Sequence, residues 1–391
     1  VHKPGGYCTK IEHRKNDAAI TARKYQPMKQ HTAFFRSILD SVPDYQPGKP
    51  PATVPGLQPY KLSSNEHFLE PIPAVQESLA KPVSPALYPD AAADALVQEL
   101  VNYLQVPNDH IAIGAGGSEL LTAIAQVTLE AGTEVVYPWP SFEMYPQISA
   151  LNAADQKPIG LTADSRHDLP AIIEAITPRT RLVLLCSPNN PTGPSLLVTE
   201  FEEFMAQVPS EVLVVLDEAY WEFNTAPDAV DGLTALKNHE NLVLVRTFSK
   251  AHGLAGLRVG YTVAQPEVTA AIGKAIIPFG VTQASQDAAV ASLHHVDDVM
   301  ERARAIATAR DNFAHALRTQ GWDVPEAQAN FVWLALQDLS TVFEDACVEQ
   351  SLAVRNLTDG VRISIGPAEA MDRMLKVTQQ FRERHFPSNR F

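Results

Sequence analysis

An α/β fold with a mostly parallel sheet flanked by helices, followed by a smaller α+β domain, is predicted by three features of the sequence. Short β-rich runs alternate with stretches of helical periodicity through the middle of the chain. Several of those runs are apolar at consecutive positions, as strands covered on both faces are. From residue 297 onward the rhythm changes to helix–strand–helix–strand–helix.

Taken in order, residues 1–30 are polar, basic and without clear periodicity, and read as an extension that is either disordered or laid on a neighbour. The segment VPDYQPGKPPATVPGLQPY (42–60) is rich in proline and reads as extended, because each proline fixes its own φ and biases the preceding residue away from helix. Strands are predicted at HIAIG (110–114), EVVYP (134–138), RLVLLC (181–186), EVLVVLDE (211–218), NLVLVRTFS (241–249) and RVGYTVA (258–264). GSELLTAIAQVTLEAG and SLLVTEFEEFMAQVP carry apolar residues at helical spacing between them. The tail reads as a long helix over 297–321, a strand over 329–336, a helix near 340–351, a strand over 361–366 and a last helix. The expected organisation is an extension (1–30), an arm joining the small domain (31–72), a large domain (73–292) and a small C-terminal domain (293–391).

Composition narrows the function classes. The chain has 391 residues, 45% hydrophobic and 19% charged, with a formal net charge of −14. Nucleic acids and anionic membranes attract basic patches, so this balance argues against both as partners. The three cysteines, Cys8, Cys186 and Cys347, are far apart and form no C-x-x-C, which suggests neither a disulfide framework nor a metal site. A reducing, cytoplasmic setting is expected. No apolar run approaches the roughly 20 residues that span a bilayer, and the first residues lack the apolar core of a signal peptide.

In open α/β sheets, ligands bind beyond the carboxyl ends of the strands. Three predicted strands carry polar groups at that end. RLVLLC is followed by SPNNPTG (187–193), VLVVLDEAYWEF closes on Asp217, and NLVLVR runs into TFSK. GAGGSELL opens a helix after a strand, which offers backbone N–H groups to an anion.

Together these segments resemble the fold-type I pyridoxal-phosphate (PLP) aminotransferases, and within them the histidinol-phosphate and aromatic-amino-acid branch. The matching stretches are LSSNE, LYPD, GAGGSELL, YPWPSFEMYP, SPNNPTG, LDEAY, TFSKAHGLAGLRVGY, ANFVWL and VRISIG. They span roughly residues 38–380 in family order. Any one alone is weak, but NNPTG, DEAY and the long lysine segment together are specific.

The resemblance implies a cofactor, PLP, and a role for each matching residue. Lys250 is the covalent anchor, and its freed amine moves the α-proton of the substrate. Burial lowers a lysine pKa as that role requires. Asp217 pairs with the pyridinium nitrogen, while Tyr220 and Asn190 donate hydrogen bonds to the ring oxygen. Gly117, Ser118, Thr247, Ser249 and Arg258 receive the phosphate. Phe142 stacks on the ring. Tyr88 reaches the phosphate from a partner subunit, which implies a homodimer. Arg362 binds the substrate carboxylate through a planar guanidinium that lysine cannot imitate; Asn65 and Arg355 are further substrate contacts. No metal is implied. His252 reads as packing.

The expected activity is transamination between aromatic L-amino acids and 2-oxo acids, with glutamate and 2-oxoglutarate as partner pair. Histidinol-phosphate aminotransferase is the alternative. Enzymes of that type read N-E-N-P where this chain has Asn65, Glu66 and then HFLEPIP, and that departure favours the aromatic reading. A noncatalytic homologue fits less well, since Lys250, Asp217, Tyr220 and Arg258 are all present. Decarboxylases and lyases of the same fold stay open at this point.

Overall fold

The computed structural model describes residues 34–386 apart from 41, 43–45 and 358. The reading of residues 1–30 therefore lies outside the described residues. Every strand and α-helix assigned belongs to the unit Ile38–Phe391.

Twelve strands are assigned among the described residues: β1 (Tyr60–Lys61), β2 (Ile111–Gly114), β3 (Glu134–Trp139), β4 (Asp155–Gly160), β5 (Thr180–Cys186), β6 (Leu213–Asp217), β7 (Leu242–Thr247), β8 (Gly260–Val263), β9 (Phe331–Leu334), β10 (Leu352–Ala353), β11 (Arg355–Asn356) and β12 (Val361–Ser364). Seven form one sheet in the order β2-β8-β7-β6-β5-β3-β4. Only β8 runs against its neighbours in that sheet, so the expected mostly parallel sheet is what forms.

The consecutive apolar residues of β5 show why. Leu182 and Leu184 enter one hydrophobic cluster, and Val183 and Leu185 enter the other. Successive strand side chains point to opposite faces, so a strand covered on both sides needs apolar residues at every position. Each such side chain contributes about 1.5–3 kcal/mol of burial. The β4 strand was not expected from the sequence. It is an edge strand whose residues alternate between exposed and partly buried, and DQKPIG lacks the apolar run that marks its neighbours.

The tail follows the predicted order. Helix Val296–Thr319, β9, helix Ser340–Val348, β12 and helix Ala368–His385 succeed one another. The β9, β11 and β12 strands form a separate antiparallel sheet in the order β11-β12-β9. The proline-rich segment contains no helix over residues 46–59 and ends in β1, which pairs parallel with β10. The N-terminal side of the unit is thereby stitched to its C-terminal part.

Candidate active site

Three adjacent parallel strands, β5, β6 and β7, end at one crevice. Asn190 follows β5, Asp217 closes β6, and Thr247, Ser249 and Lys250 end β7 or follow it. Helix Gly117–Thr128 begins beside them after β2. The result is a cavity of about 310 Å³. Of the residues singled out from the sequence, Asn65, Gly117, Ser118, Phe142, Asn190, Asp217, Tyr220, Thr247, Ser249, Lys250, Arg258, Arg355 and Arg362 all line it. Tyr88 does not: it is 82% exposed and stacks on Phe279 at 4.7 Å between ring centroids.

One end of the cavity is built for an anion. The first N–H groups of a helix have no intrahelical partner, and those of helix Gly117–Thr128 open towards the cavity. Thr247 Oγ1 donates to Ser249 Oγ at 2.9 Å, and Arg258 Nη1 donates to the same oxygen at 3.3 Å. Gly116 has φ of +82°, and a Cβ there would lie 2.5 Å from Arg258 Nη2. Only glycine leaves the guanidinium its place.

The floor of the cavity holds the titratable pair. Lys250 Nζ donates to the Ser64 carbonyl at 3.2 Å and stands 5.6 Å from the centre of the Tyr220 ring. Desolvation, reinforced by the positive charge of Arg362, brings its amine down to about 7. Asp217 is 4% exposed, and burial pushes its carboxyl up to about 6 against the opposing bond from Tyr145. Tyr145 Oη donates to Asp217 Oδ2 at 3.1 Å, and the Ala219 N–H donates to Oδ1 at 3.2 Å.

The remaining wall comes from the C-terminal sheet and the segment before helix Pro73–Leu79. Arg362 on β12 donates to Asn190 Oδ1 at 2.5 Å and to the Ser63 carbonyl at 2.7 Å. An amide that accepts through its oxygen keeps its NH2 to donate. Tyr220 Oη accepts from Asn65 Nδ2 at 2.9 Å and keeps its own proton to donate; burial raises its pKa. Asn65 is held in turn by Ser364, whose hydroxyl donates to Oδ1 at 2.7 Å. Arg355 is paired with Glu143, Nη2 to Oε1 at 2.5 Å. His252 is buried against Phe248, with Nδ1 2.7 Å from Ser292 Oγ, and does not line the cavity.

Sequence reasoning missed Tyr145, Glu143, Ser364 and Cys186. Phe142 and Tyr145 are three residues apart and touch edge to face at 5.8 Å; that spacing in SFEMYP was the available signal. The Ser364 contact to Asn65 spans 299 of the 391 positions, and no local pattern announces it.

The chain matches the family described as aminotransferase class I and II over residues 58–377. It belongs to that family. An aromatic amino acid aminotransferase of Streptomyces avermitilis is 46% identical over 358 residues, covering 91% of this chain and 99% of that one. One of Thermobifida fusca, with the same description, is 42% identical and covers 90% and 98%. Among solved structures, histidinol-phosphate aminotransferase from Sinorhizobium meliloti in complex with pyridoxal-5′-phosphate aligns with a TM-score of 0.79 at 27% identity, covering 89% of this chain and 97% of that one. This aminotransferase has the fold-type I architecture and depends on PLP. Its residues fit that group. An amine stands at the cavity floor, a buried carboxylate lies beside it, and a glycine-bounded cup of hydroxyls, helix N–H groups and guanidinium suits a phosphate.

Proposed function

We propose that this aminotransferase exchanges amino groups between aromatic L-amino acids and 2-oxo acids, with glutamate and 2-oxoglutarate as partner pair. The observation that carries the reading is the 46% identity, over nearly the full length of both chains, to a protein described as an aromatic amino acid aminotransferase. The histidinol-phosphate alternative is favoured by solved structures of lower identity, at 22–27%.

PLP, when bound, supplies an aldehyde that condenses with amines and a ring that takes up the electrons of the broken C–H bond. The chain's residues do the rest. Lys250 would hold the cofactor, and its amine, which titrates at about 7 and so can both take up and give back a proton near neutral pH, would carry the α-proton. Asp217 faces the ring nitrogen with a negative charge, and Tyr220 and Asn190 donate to the ring oxygen. Gly117, Ser118, Thr247, Ser249 and Arg258 hold the phosphate, and Phe142 covers the ring. Arg362 grips the substrate carboxylate, held in line by Asn190 and the Ser63 carbonyl. Asn65 and Arg355 border the substrate.

The same reading includes a homodimer in which Tyr88 serves the partner's phosphate site. The exposed Leu87, Tyr88, Ile277 and Phe279 supply apolar surface for it. It also includes a cytoplasmic setting. The proposed domains are an arm (31–72), a large domain (73–292) and a small domain (293–391).

The test is a half-reaction panel. The PLP form is mixed separately with phenylalanine, tyrosine, glutamate and histidinol phosphate while its visible band is followed. Phenylalanine or tyrosine is expected to react with a kcat/KM at least about tenfold above histidinol phosphate, about 1.4 kcal/mol in transition-state binding. If histidinol phosphate reacts faster, the alternative is correct.

A further inference from the structure

Asp217 is held by more than its own strand. Tyr145, on helix Met144–Leu151, is fully buried and turns its hydroxyl onto Asp217 Oδ2. Its ring is clamped edge-on by Phe142 and Tyr137, at 5.8 and 6.2 Å. The first of these also lines the cavity. The cover of the cofactor site and the carboxylate beneath it therefore share one aromatic brace.

We propose that Tyr145 is a positioning residue: its hydroxyl fixes the Asp217 carboxylate towards the cavity and keeps it ionised, so that the ring nitrogen of the cofactor meets a negative charge. This rests on the assignment of Asp217 to that nitrogen.

The surroundings leave Tyr145 as the local hydroxyl donor to this carboxylate. Burial works against the charge on Asp217. Glu218, next in the chain, adds repulsion, while Lys250 across the cavity floor adds weak attraction. Cys186, at the end of β5, and Tyr220 are both buried with their pKa values raised, so each stays neutral beside it. The hydroxyl of Tyr145 is pushed up as well and remains a donor across the working pH range. A hydrogen bond given to the charged form favours that form. Replacing the phenol by a phenyl ring removes the bond and keeps the brace.

The experiment measures equilibrium binding of pyridoxamine phosphate to the full chain freed of cofactor, from pH 5 to 8. It compares wild type, Tyr145→Phe, Asp217→Asn and the double variant. In wild type, affinity falls as Asp217 protonates on the acid side. In Tyr145→Phe that fall is expected to begin at higher pH, its midpoint moved up by about one pKa unit, so that binding is weakened about tenfold at pH 5 and only about twofold at pH 7. Asp217→Asn should abolish this limb, and the double variant should bind no worse than Asp217→Asn. A purely structural role for Tyr145 predicts instead additive losses with an unmoved midpoint, and that result overturns the proposal. Asp217→Asn binding like wild type would sink the Asp217 assignment itself. Should Tyr145→Phe fail to fold, 3-fluorotyrosine placed at position 145 keeps the shape and strengthens the donor. The midpoint is then expected to move down, and an unmoved midpoint rejects the idea.

Discussion

Arg355 and Arg362 stand directly opposite each other in the antiparallel ladder of β11 and β12, and both side chains line the cavity. Like charges in that register repel. Glu143 answers the repulsion by pairing with Arg355, while Arg362 donates to Asn190 and the Ser63 carbonyl. Glu143→Gln should therefore lower stability by about 1–2 kcal/mol, since it strips the counter-charge from a mostly buried arginine. A denaturant midpoint that falls while the slope stays constant is the expected result. An unchanged midpoint would show that Arg355 does not need Glu143 as its counter-ion.

Lys250 should reveal its lowered pKa in the rate at which cofactor-free protein captures PLP. Only the neutral amine attacks the aldehyde. Capture should fall about tenfold per pH unit below pH 7 and level off above it, whereas an ordinary lysine would level off only near pH 10. Arg362→Gln removes a positive neighbour, so the midpoint should rise. The amine's folded pKa lies below its unfolded one, so its cost to the stability of the cofactor-free fold is full below about pH 7 and fades as pH rises towards the ordinary lysine range. Lys250→Ala should retain noncovalent PLP binding and lose transamination by several orders of magnitude. Borohydride labelling on any other lysine would remove it from this role.

Gly116→Ala should weaken PLP binding at least about tenfold, because the new methyl group would lie 2.5 Å from Arg258 Nη2 and push the guanidinium aside, at a backbone φ of +82°. Spectral titration measures the affinity. Gly132→Ala, also at positive φ but with open space around it, is the control for backbone strain alone.

Tyr88 tests the dimer. A mixed dimer of Tyr88→Phe and Lys250→Ala chains has one site carrying both defects and one carrying neither, provided that the tyrosine serves its partner. Mixing the two weakened variants should then restore activity to about a quarter to a half of wild type, according to how the chains redistribute. If Tyr88 acts within its own chain, every site carries one defect and mixing restores nothing.

Much of this site was legible in the sequence, for a physical reason that individual residues show. Asp217 and Lys250 each terminate or follow a run of apolar residues. A strand buried on both faces must be apolar throughout, so a charged group at its carboxyl end announces the crevice. Gly116 and Gly117 stand where a strand hands over to a helix, so the local chain sets the helix end of the anion cup, whereas Thr247, Ser249 and Arg258 join it only through the fold. The β4 strand was hidden because an edge strand with one solvated face carries no such run.

The sequence by itself determined the order of elements, the parallel sheet and the three strand ends that converge, because each depends on the apolar content of a short stretch and on the hand of its connections. Only the tertiary structure decided what holds those groups in place. Tyr145 reaches Asp217 across 72 positions, Arg362 reaches Asn190 across 172, and Ser364 reaches Asn65 across 299. Such contacts have no periodicity to read. They exist because tertiary packing buries polar groups, beneath the large sheet's own helices for Tyr145 and Asp217 and where the C-terminal sheet meets the crevice for Arg362 and Ser364, and each buried polar group must find a partner wherever in the chain it lies.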